Sequence, residues 1–317
     1  MRKKGSILLV SSWILAILVI FALSLGFRAQ IVLRLSRYQK DGLEASCLTN
    51  AGINRALHEL TGDTNDYDAL SESWSDNEQI FGKISPNEDK KEFCTIGYTN
   101  TEGKEVFGVM DEQSKIDINN SGIRVVEELF NSKGFDTDAK DFSKLFREWI
   151  SSNVESGEEK KIFKNAPLSA KEELLLVLEY FYKDRQKAHE VYDTIEDLIT
   201  VYSDGKLNIN TAQEEALLIL AKANAETGEE KLTAERLTEK IIKLREEKSF
   251  FKDIISISFD AGFDTNELSL WNKISAFLDV KSDYFRINAQ AVTKDTLKQV
   301  STVFNRDAKK IIYWHQN

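Results

Sequence analysis

Histidine and cysteine are scarce in this chain of 317 residues. Its three histidines, His58, His189 and His315, are scattered and lack the spacing of a metal-binding motif. No serine or cysteine lies in a recognised nucleophile turn. These absences argue against the common metal-dependent and nucleophile-dependent enzymes, and we predict a protein with no catalytic residues, no metal site and no cofactor.

Positively charged residues are also fewer than negatively charged ones. The chain has 42 Lys and Arg against 52 Asp and Glu, a net charge of −10, and three of its basic residues lie within the first five positions. Without those three residues the net charge is −13. A body this acidic repels phosphate backbones and anionic lipid headgroups, so we predict no nucleic-acid partner.

The longest stretch without any charge lies between Lys4 and Arg28 and contains the apolar residues 6–27. At about 1.5 Å per helical residue, it reaches across a hydrocarbon core of roughly 30 Å. Arg2, Lys3 and Lys4 favour a cytoplasmic amino terminus, which places the body across the membrane. One alternative is a signal peptide cleaved after residues 22–24, but the apolar run is long for that role. The other is an ordinary signal anchor.

A helix is predicted to continue from Arg28 to about Leu60. The segment contains no proline and has glycine only at positions 42 and 52. Apolar residues recur in it at multiples of three or four, which predicts one apolar stripe on a long rod. The residues of this stripe are Ile31, Leu35, Leu43, Cys47, Ala51 and Leu57.

The short basic leader ending in Gly5, ahead of this apolar helix, resembles the class III signal of type IV pilins and pseudopilins. The resemblance implies that a prepilin peptidase cuts between Gly5 and Ser6 and methylates Ser6. Val10 then occupies the fifth mature position, where the pilin pattern has a glutamate. In pilin-like fibres that carboxylate meets the amino terminus of a neighbouring subunit, since a buried charge must be paired. An apolar residue there resembles the minor pseudopilin K family of the type II secretion system, which caps the pseudopilus tip.

Beyond residue 60 the pattern changes several times. Residues 63–92 are polar with little periodicity and predict a long surface connection. Two alternating runs, 93–98 and 105–110, predict a hairpin, and 121–274 is mostly helical in pattern. Patterns typical of strands occur again at residues 284–289 and 309–314, whereas residues 296–303 fit either a strand or a helix. The order predicts an α+β fold in which a helical domain is inserted between strands.

The resemblance to the minor pseudopilin K family covers nearly the whole chain in matching order. It implies a pilin-like fold with a long N-terminal helix packed on a small antiparallel sheet, and a large all-α domain inserted between strands. The corresponding divisions are a leader at 1–5, a transmembrane segment at 6–27, a first pilin-like part at 28–120, an inserted helical domain at 121–274 and closing strands at 275–317. One departure is Glu148-Trp149-Ile150-Ser151, where family members usually have Asp-Trp-Ile-Asp.

Residues 111–120 and 203–212 are two copies of an internal repeat. Each copy has a turn, then a lysine, then alternating apolar and Asp/Asn residues, and a helix is predicted after each. Polar residues there are natural caps for helix-start amides. The second copy also resembles the helix-hairpin-helix modules of membrane-anchored DNA receptors. The stretch 221–231 that follows it has no paired glycine and three glutamates, which disfavours phosphate binding.

Two further features leave alternatives open. Cys47 on the helix stripe and Cys94 in a predicted strand could form a disulfide in an oxidising periplasm, or remain small core residues. The acidic strings 63–68 and 136–141 offer oxygen ligands for calcium, although neither fits the twelve-residue calcium loop, and solvated loops are the preferred interpretation.

The predicted function is that of a non-enzymatic minor pseudopilin of the type II secretion system, which starts or caps a periplasmic fibre that drives protein export. The implied partners are the I, J and H type minor pseudopilins, the prepilin peptidase and the inner-membrane secretion platform. The implied location is the bacterial inner membrane, with one span and a periplasmic body. The alternatives are a minor pilin of a type IV pilus or DNA-uptake apparatus, and a membrane-anchored DNA-binding module.

Overall fold

The computed structural model describes residues 4–86, 91–100, 103–151, 163–294 and 296–316. Its first element is the helix α1, Lys4–Gly62, which runs for 59 residues without interruption. Within the described residues, α1 is the one helix that is long and apolar enough to cross a membrane. The predicted continuation of the apolar segment into a long rod is therefore confirmed.

The other helices are much shorter than α1, and the longest of them has 21 residues. They are α2 (Glu78–Phe81), α3 (Ile123–Ser132), α4 (Asp136–Ile150), α5 (Leu174–Tyr182), α6 (Arg185–Ile195), α7 (Glu214–Ala223), α8 (Gly228–Lys248), α9 (Ile257–Asp260) and α10 (Thr265–Ile274). The strands are β1 (Phe93–Ile96), β2 (Tyr98–Thr99), β3 (Glu105–Val106), β4 (Met110–Asp111), β5 (Ile116–Asp117), β6 (Ile199–Thr200), β7 (Leu207–Asn208), β8 (Leu278–Asp279), β9 (Tyr284–Val292), β10 (Leu297–Asn305) and β11 (Lys310–Gln316).

The main sheet is antiparallel and has the order β1-β9-β10-β11, with β4 also paired to β9. Both β1 and β4 pair with β9 along the edge that β10 leaves free, at Cys94↔Ala291 and Asp111↔Phe285. In the sequence, the helical part therefore lies between β1 and β4 and the strand β9 with which they pair. Residues 296–303, which fitted strand or helix, lie largely in β10.

The two faces of this sheet are covered by different layers. Alternate residues of β9, from Phe285 to Ala291, pack in one apolar cluster with the second half of α1. Val303 and Tyr284 belong to the opposite face and pack against the apolar cluster of the helical part. The sheet therefore lies between α1 and the helices α3–α10.

The predicted hairpin forms only in part. The strand β1 pairs with β9, and the hairpin pairs are confined to β2 and β3, at Tyr98↔Val106 and Thr99↔Glu105. Gly97 is the point of divergence, because a Cβ there would lie 2.4 Å from the Val106 carbonyl oxygen. This close backbone approach lets the chain leave β9 and turn into the hairpin.

The prediction that residues 63–92 form a surface connection is wrong in one respect. The part of it that the structure describes buries Asp68, Trp74 and Phe81 almost completely. Trp74 contacts Phe285 edge to face with ring centroids 5.2 Å apart. The polar composition of the segment concealed these anchors, which close the end of the core beneath α1.

The helical part is joined to the rest by two small parallel ladders. Ile116 in β5 pairs with Ile199 in β6, and Leu207 in β7 pairs with Leu278 in β8. The domain boundaries at residues 121 and 274 remain a prediction, since each ladder links a strand outside the helical stretch to one inside it.

Candidate functional site

Two regions carry the candidate functional residues: the exposed surface of α1 and a buried polar junction beside the sheet. Gly5 and Ser6 lie in the first turns of α1, and their side chains are outside the described residues. Val10 follows one turn later and is 58% exposed. The structure thus places the predicted processing and tip positions at the free end of a helix that extends far beyond the folded body.

Most of the predicted apolar stripe of α1 is exposed, although Leu57 at its end packs against the apolar cluster that α1 forms with the sheet. Ile31, Leu35 and Leu43 are 61%, 56% and 68% exposed. The face that packs on the sheet is a different row, which contains the small residues Ala45, Thr49, Gly52 and Ala56 and the large residues Leu48, Ile53 and Leu60. The four-residue spacing of 31, 35, 43 and 47 forms one ridge along the helix, and that ridge remains uncovered in the single chain.

Cys47 and Cys94 are both free in this structure, so the predicted disulfide alternative is not formed. Cys47 lies on the exposed ridge, whereas Cys94 is buried in β1. Cys94 contacts the helix at Gly52 instead, where an added Cβ would lie only 2.5 Å from its Sγ. Gly52 is five residues after Cys47 and therefore lies on another side of α1, which separates the two thiols.

The polar junction consists of Asp68, Asp111, Asn208, Thr211 and Ser282, all buried. Asp111 Oδ1 accepts the Gln113 amide at 2.8 Å, and its Oδ2 accepts Ser282 Oγ at 2.6 Å and Asn208 Nδ2 at 3.2 Å. Thr211 Oγ1 donates to the same Oδ2. Burial raises the pKa of Asp111 to about 7, although the hydrogen bonds from Ser282 and Thr211 oppose this rise.

Asp68 joins the junction to the closing strands. Arg306 donates to both of its carboxylate oxygens, at 2.8 and 2.6 Å, and the Ser282 amide donates to Oδ2 at 2.7 Å. Asn208 Nδ2 donates to the Asp68 carbonyl oxygen at 3.2 Å. The junction thus connects the segment after α1, the strand β4, the helical part and the closing strands by direct hydrogen bonds.

The internal repeat meets at this junction, with Asp111 from the first copy and Asn208 and Thr211 from the second. Each copy also uses one asparagine to hold a distant peptide group. Asn119 donates to the Leu168 carbonyl at 3.0 Å and accepts its amide at 2.8 Å, while Asn210 does the same with Phe251 at 3.0 and 2.7 Å. The prediction of helix caps is therefore corrected, because the helices α3 and α7 have no side-chain cap.

Next to Asp111, Glu112 and Arg286 form a buried ion pair. Thr200 Oγ1 also donates to the Glu112 carboxylate, and the Arg286 guanidinium lies 5.6 Å from the ring centroids of both Tyr202 and Tyr313. Burial alone would raise the pKa of Glu112, but the charges of Arg286 and Lys115 outweigh it and hold the pKa below its ordinary value.

Among the described residues, one cluster could hold a metal ion. Asp63, Asp68 and Glu72 each offer a carboxylate oxygen, and these atoms lie within 4.8 Å of one another. The Arg306 guanidinium already supplies a positive charge to Asp68. In the other acidic string, Asp138 pairs with Lys187 at 3.1 Å. Calcium binding stays an untested alternative to the predicted solvated loops at both places.

Backbone amides of residues 221–231 donate hydrogen bonds to acceptors within the same stretch. The Glu226 amide donates to the Glu230 carboxylate at 2.7 Å, and the Glu230 amide donates to Thr227 Oγ1 at 3.1 Å. A phosphate would have to displace a carboxylate from this turn, so the geometry disfavours the DNA-binding alternative.

A long N-terminal helix packed on a small antiparallel sheet defines a pilin-like fold, here with a helical part between the strands. The chain is similar in structure to a chain of the GspK-GspI-GspJ complex from the type 2 secretion system of enterotoxigenic Escherichia coli, with a TM-score of 0.62. The two sequences are 12% identical, and the alignment covers 89% of this chain and 99% of the other. No family model and no curated protein sequence matches the chain. The predicted α+β pseudopilin fold is thus confirmed.

Proposed function

We propose that this protein is a minor pseudopilin of a type II secretion system and that it acts at the tip of the pseudopilus. The observation that carries the proposal is the exposed ridge of α1. Leu43 lies roughly 24 Å along the helix from Phe27, beyond the predicted membrane span, yet Ile31, Leu35 and Leu43 all remain more than half exposed. Apolar side chains in a regular row outside the membrane favour packing against the helices of other subunits.

The position at the tip rests on Val10. A subunit inside a pilin-like fibre places a glutamate near the amino terminus of its neighbour, and a terminal subunit lacks that neighbour. An uncharged residue at this position avoids burying an unpaired carboxylate. The helices α3–α10 support the same placement, since they add a layer on the sheet face opposite α1 and would widen the end of a narrow fibre.

The proposed partners are other minor pseudopilins of the I, J and H types, the prepilin peptidase and the inner-membrane secretion platform. The proposed location is the bacterial inner membrane, with the amino terminus in the cytoplasm and the body in the periplasm. The role is structural and not catalytic. The solved complex that this chain resembles contains GspK, GspI and GspJ, which supports partners of this kind.

The ridge gives the decisive experiment. We expect Leu43→Asn in the full-length protein to reduce co-purification with the I and J type pseudopilins of the same system by about tenfold, because the buried contact would lose apolar area. Leu232→Asn is the matched control, since Leu232 is 61% exposed but lies on α8. Equal co-purification of the two variants would count against the proposal.

Processing provides an independent test. Co-expression with the cognate prepilin peptidase should give a protein that starts at methylated Ser6, and Gly5→Leu should retain the leader. Mass spectrometry of the intact protein distinguishes these species. An amino terminus near residue 25 would instead show signal-peptidase cleavage and contradict the pseudopilin assignment.

A further inference from the structure

The last strand of the main sheet, β11, has one edge without a neighbouring strand. Within the part of the chain that the structure describes, β11 pairs only with β10. In an edge strand, the backbone N–H and C=O groups of alternate residues point away from the sheet and have no ladder partner. Such an edge is a template for another extended chain, and proteins usually protect it with charges, prolines or bulges.

This protection covers only the first half of β11. Lys310 places a charge at its start, and a bulge leaves Ile312 without an opposite residue in β10. After the bulge, pairing with β10 is regular from Tyr313 to Gln316. Residues 311–316 contain no Lys, Arg, Asp, Glu, proline or glycine, although 30% of the whole chain is charged. The second half of the edge can therefore pair with another strand.

Trp314 lies in this second half and is 47% exposed. It pairs with Thr302, and Gln316 pairs with Val300. Val300 belongs to the apolar cluster under α1, and residues opposite each other in antiparallel strands project from the same face of the sheet. Trp314 therefore projects from the α1 side of the sheet, at an edge that α1 leaves uncovered. A half-exposed tryptophan is suited to anchor a contact with another chain.

The edge of β11 is continuous with the exposed ridge of α1. Leu43 of the ridge and Gln316 at the end of β11 line the same groove. Lys298 forms part of this groove, and its Nζ donates to Ser46 Oγ of α1 at 2.6 Å. A subunit that packs on the ridge would therefore also reach the second half of the edge.

We propose that an extended strand of another minor pseudopilin pairs with residues 313–316 of β11 and that Trp314 is buried in this contact. The occupant is a strand because extended backbone presents N–H and C=O groups at the spacing of the edge. Its facing residues are uncharged, since a charge buried there would have no opposite charge. This proposal rests on the proposed function, because the ridge brings the other subunit to the edge.

Hydrogen–deuterium exchange of the full-length protein in detergent tests the pairing. The samples are the protein alone and its complex with the I and J type pseudopilins of the same system. In the complex, we expect about two amides of residues 313–316 to exchange at least about tenfold more slowly, because they gain backbone acceptors. The control is the β2–β3 hairpin, which also has free edges and should exchange equally in both samples.

The outcomes separate this proposal from the proposed function. If the complex forms but the exchange of residues 313–316 is unchanged, the proposed function stands and the strand pairing is wrong. If no complex forms, both fail. If these amides are already protected in the protein alone and lose protection on dilution, the occupant is a second copy of this chain, which also contradicts the proposal.

Trp314→Lys tests the anchor. We expect it to reduce co-purification with the I and J type pseudopilins by about tenfold, because it places a charge in the contact. Phe277→Lys is the matched control, since Phe277 is 46% exposed but lies in the helical part, just before β8. Both variants should keep the thermal unfolding midpoint of the parent, because both side chains are half exposed.

Comparison with the ridge variant completes the test. Loss of co-purification in both Leu43→Asn and Trp314→Lys supports a contact that covers the ridge and the edge. Loss in Leu43→Asn, with Trp314→Lys equal to Phe277→Lys, would leave the proposed function intact and overturn the pairing at β11.

Discussion

Single residues of this protein matter most where they are buried and polar. Asp111 ends a two-residue strand, yet it holds donors from Gln113, Asn208, Thr211 and Ser282. Its partners come from positions up to 171 residues away in the sequence. A buried acceptor with so many donors fixes the relative placement of the segments that carry them, since each donor would cost free energy if left unpaired.

Asp111 makes stability depend on pH. Its pKa in the folded protein is raised to about 7 from an ordinary value of 3.8, so its contribution is fully present below about pH 4 and is lost as the pH rises through 7. The charge of Asp68 adds to this rise, and burial also raises the pKa of Asp68 itself. We expect the stability advantage of the parent over Asp111→Asn to be larger at about pH 5 than at about pH 8.

Thermal unfolding followed by circular dichroism at the two pH values gives this difference directly. Asp111→Asn does not titrate at this position. Comparing it with the parent therefore cancels the pH dependence that comes from all other titrating groups left unchanged by the substitution. An advantage that grows towards higher pH would mean that Asp111 is ionised and stabilised in the folded protein, contrary to this expectation.

At the scale of elements, α1 has two separate surfaces with separate tasks. From Ala45 onwards one face of the helix meets the sheet, and Gly52 on that face allows Cys94 and Ile96 to approach the helix closely. The ridge lies on another side of the helix. Its exposed apolar side chains can bury area against another subunit.

Gly52 and Gly42 form a matched pair in the same helix. A Cβ at Gly52 would lie 2.5 Å from Cys94 Sγ, whereas a Cβ at Gly42 meets nothing within 4 Å. We expect Gly52→Ala to lower the free energy of unfolding by about 1–3 kcal/mol through overpacking. Gly42→Ala should raise it by up to about 1 kcal/mol through helix propensity.

Chemical denaturation of both variants provides the comparison. Because the two substitutions are identical in the helix, their difference isolates the contact with β1. If Gly52→Ala were as stable as Gly42→Ala, the helix would not be packed against Cys94 as described.

At the scale of the whole molecule, the sheet is the layer that both apolar clusters share. Val300 and Phe304 in β10 belong to the cluster under α1, and Val303 between them belongs to the cluster of the helical part. The polar junction spans the same boundary. Two cores joined through one strand and one hydrogen-bond network should unfold together.

We therefore expect a single transition in differential scanning calorimetry of the full-length protein. Asn208→Ala should lower its midpoint, since it removes the Nδ2 group that donates to Asp111, to Ser282 Oγ and to the Asp68 carbonyl, at a cost of about 1–3 kcal/mol. Fluorescence of Trp74 in one cluster and Trp271 in the other should change at the same temperature. Two separated transitions in the parent would show that the clusters fold independently.

Local patterns in the sequence determined the elements of this protein. The charge-free run and the absence of proline predicted α1, alternation predicted β1, β9 and β11, and the repeat at 111–120 and 203–212 marked the two segments that meet at the polar junction. These features follow from the periods of helix and strand and from side-chain chemistry, which act over a few residues.

Tertiary structure decided how those elements are used. It selected the face of α1 that contains Ala45, Gly52 and Leu60 for the sheet, separated Cys47 from Cys94, paired β1 with β9 instead of β3, and buried Trp74 within a polar segment. Each of these outcomes depends on contacts between residues far apart in the sequence. Such contacts are decided by the shapes of the packed side chains and by the hydrogen bonding of buried polar groups, and neither produces a periodic pattern in the local sequence.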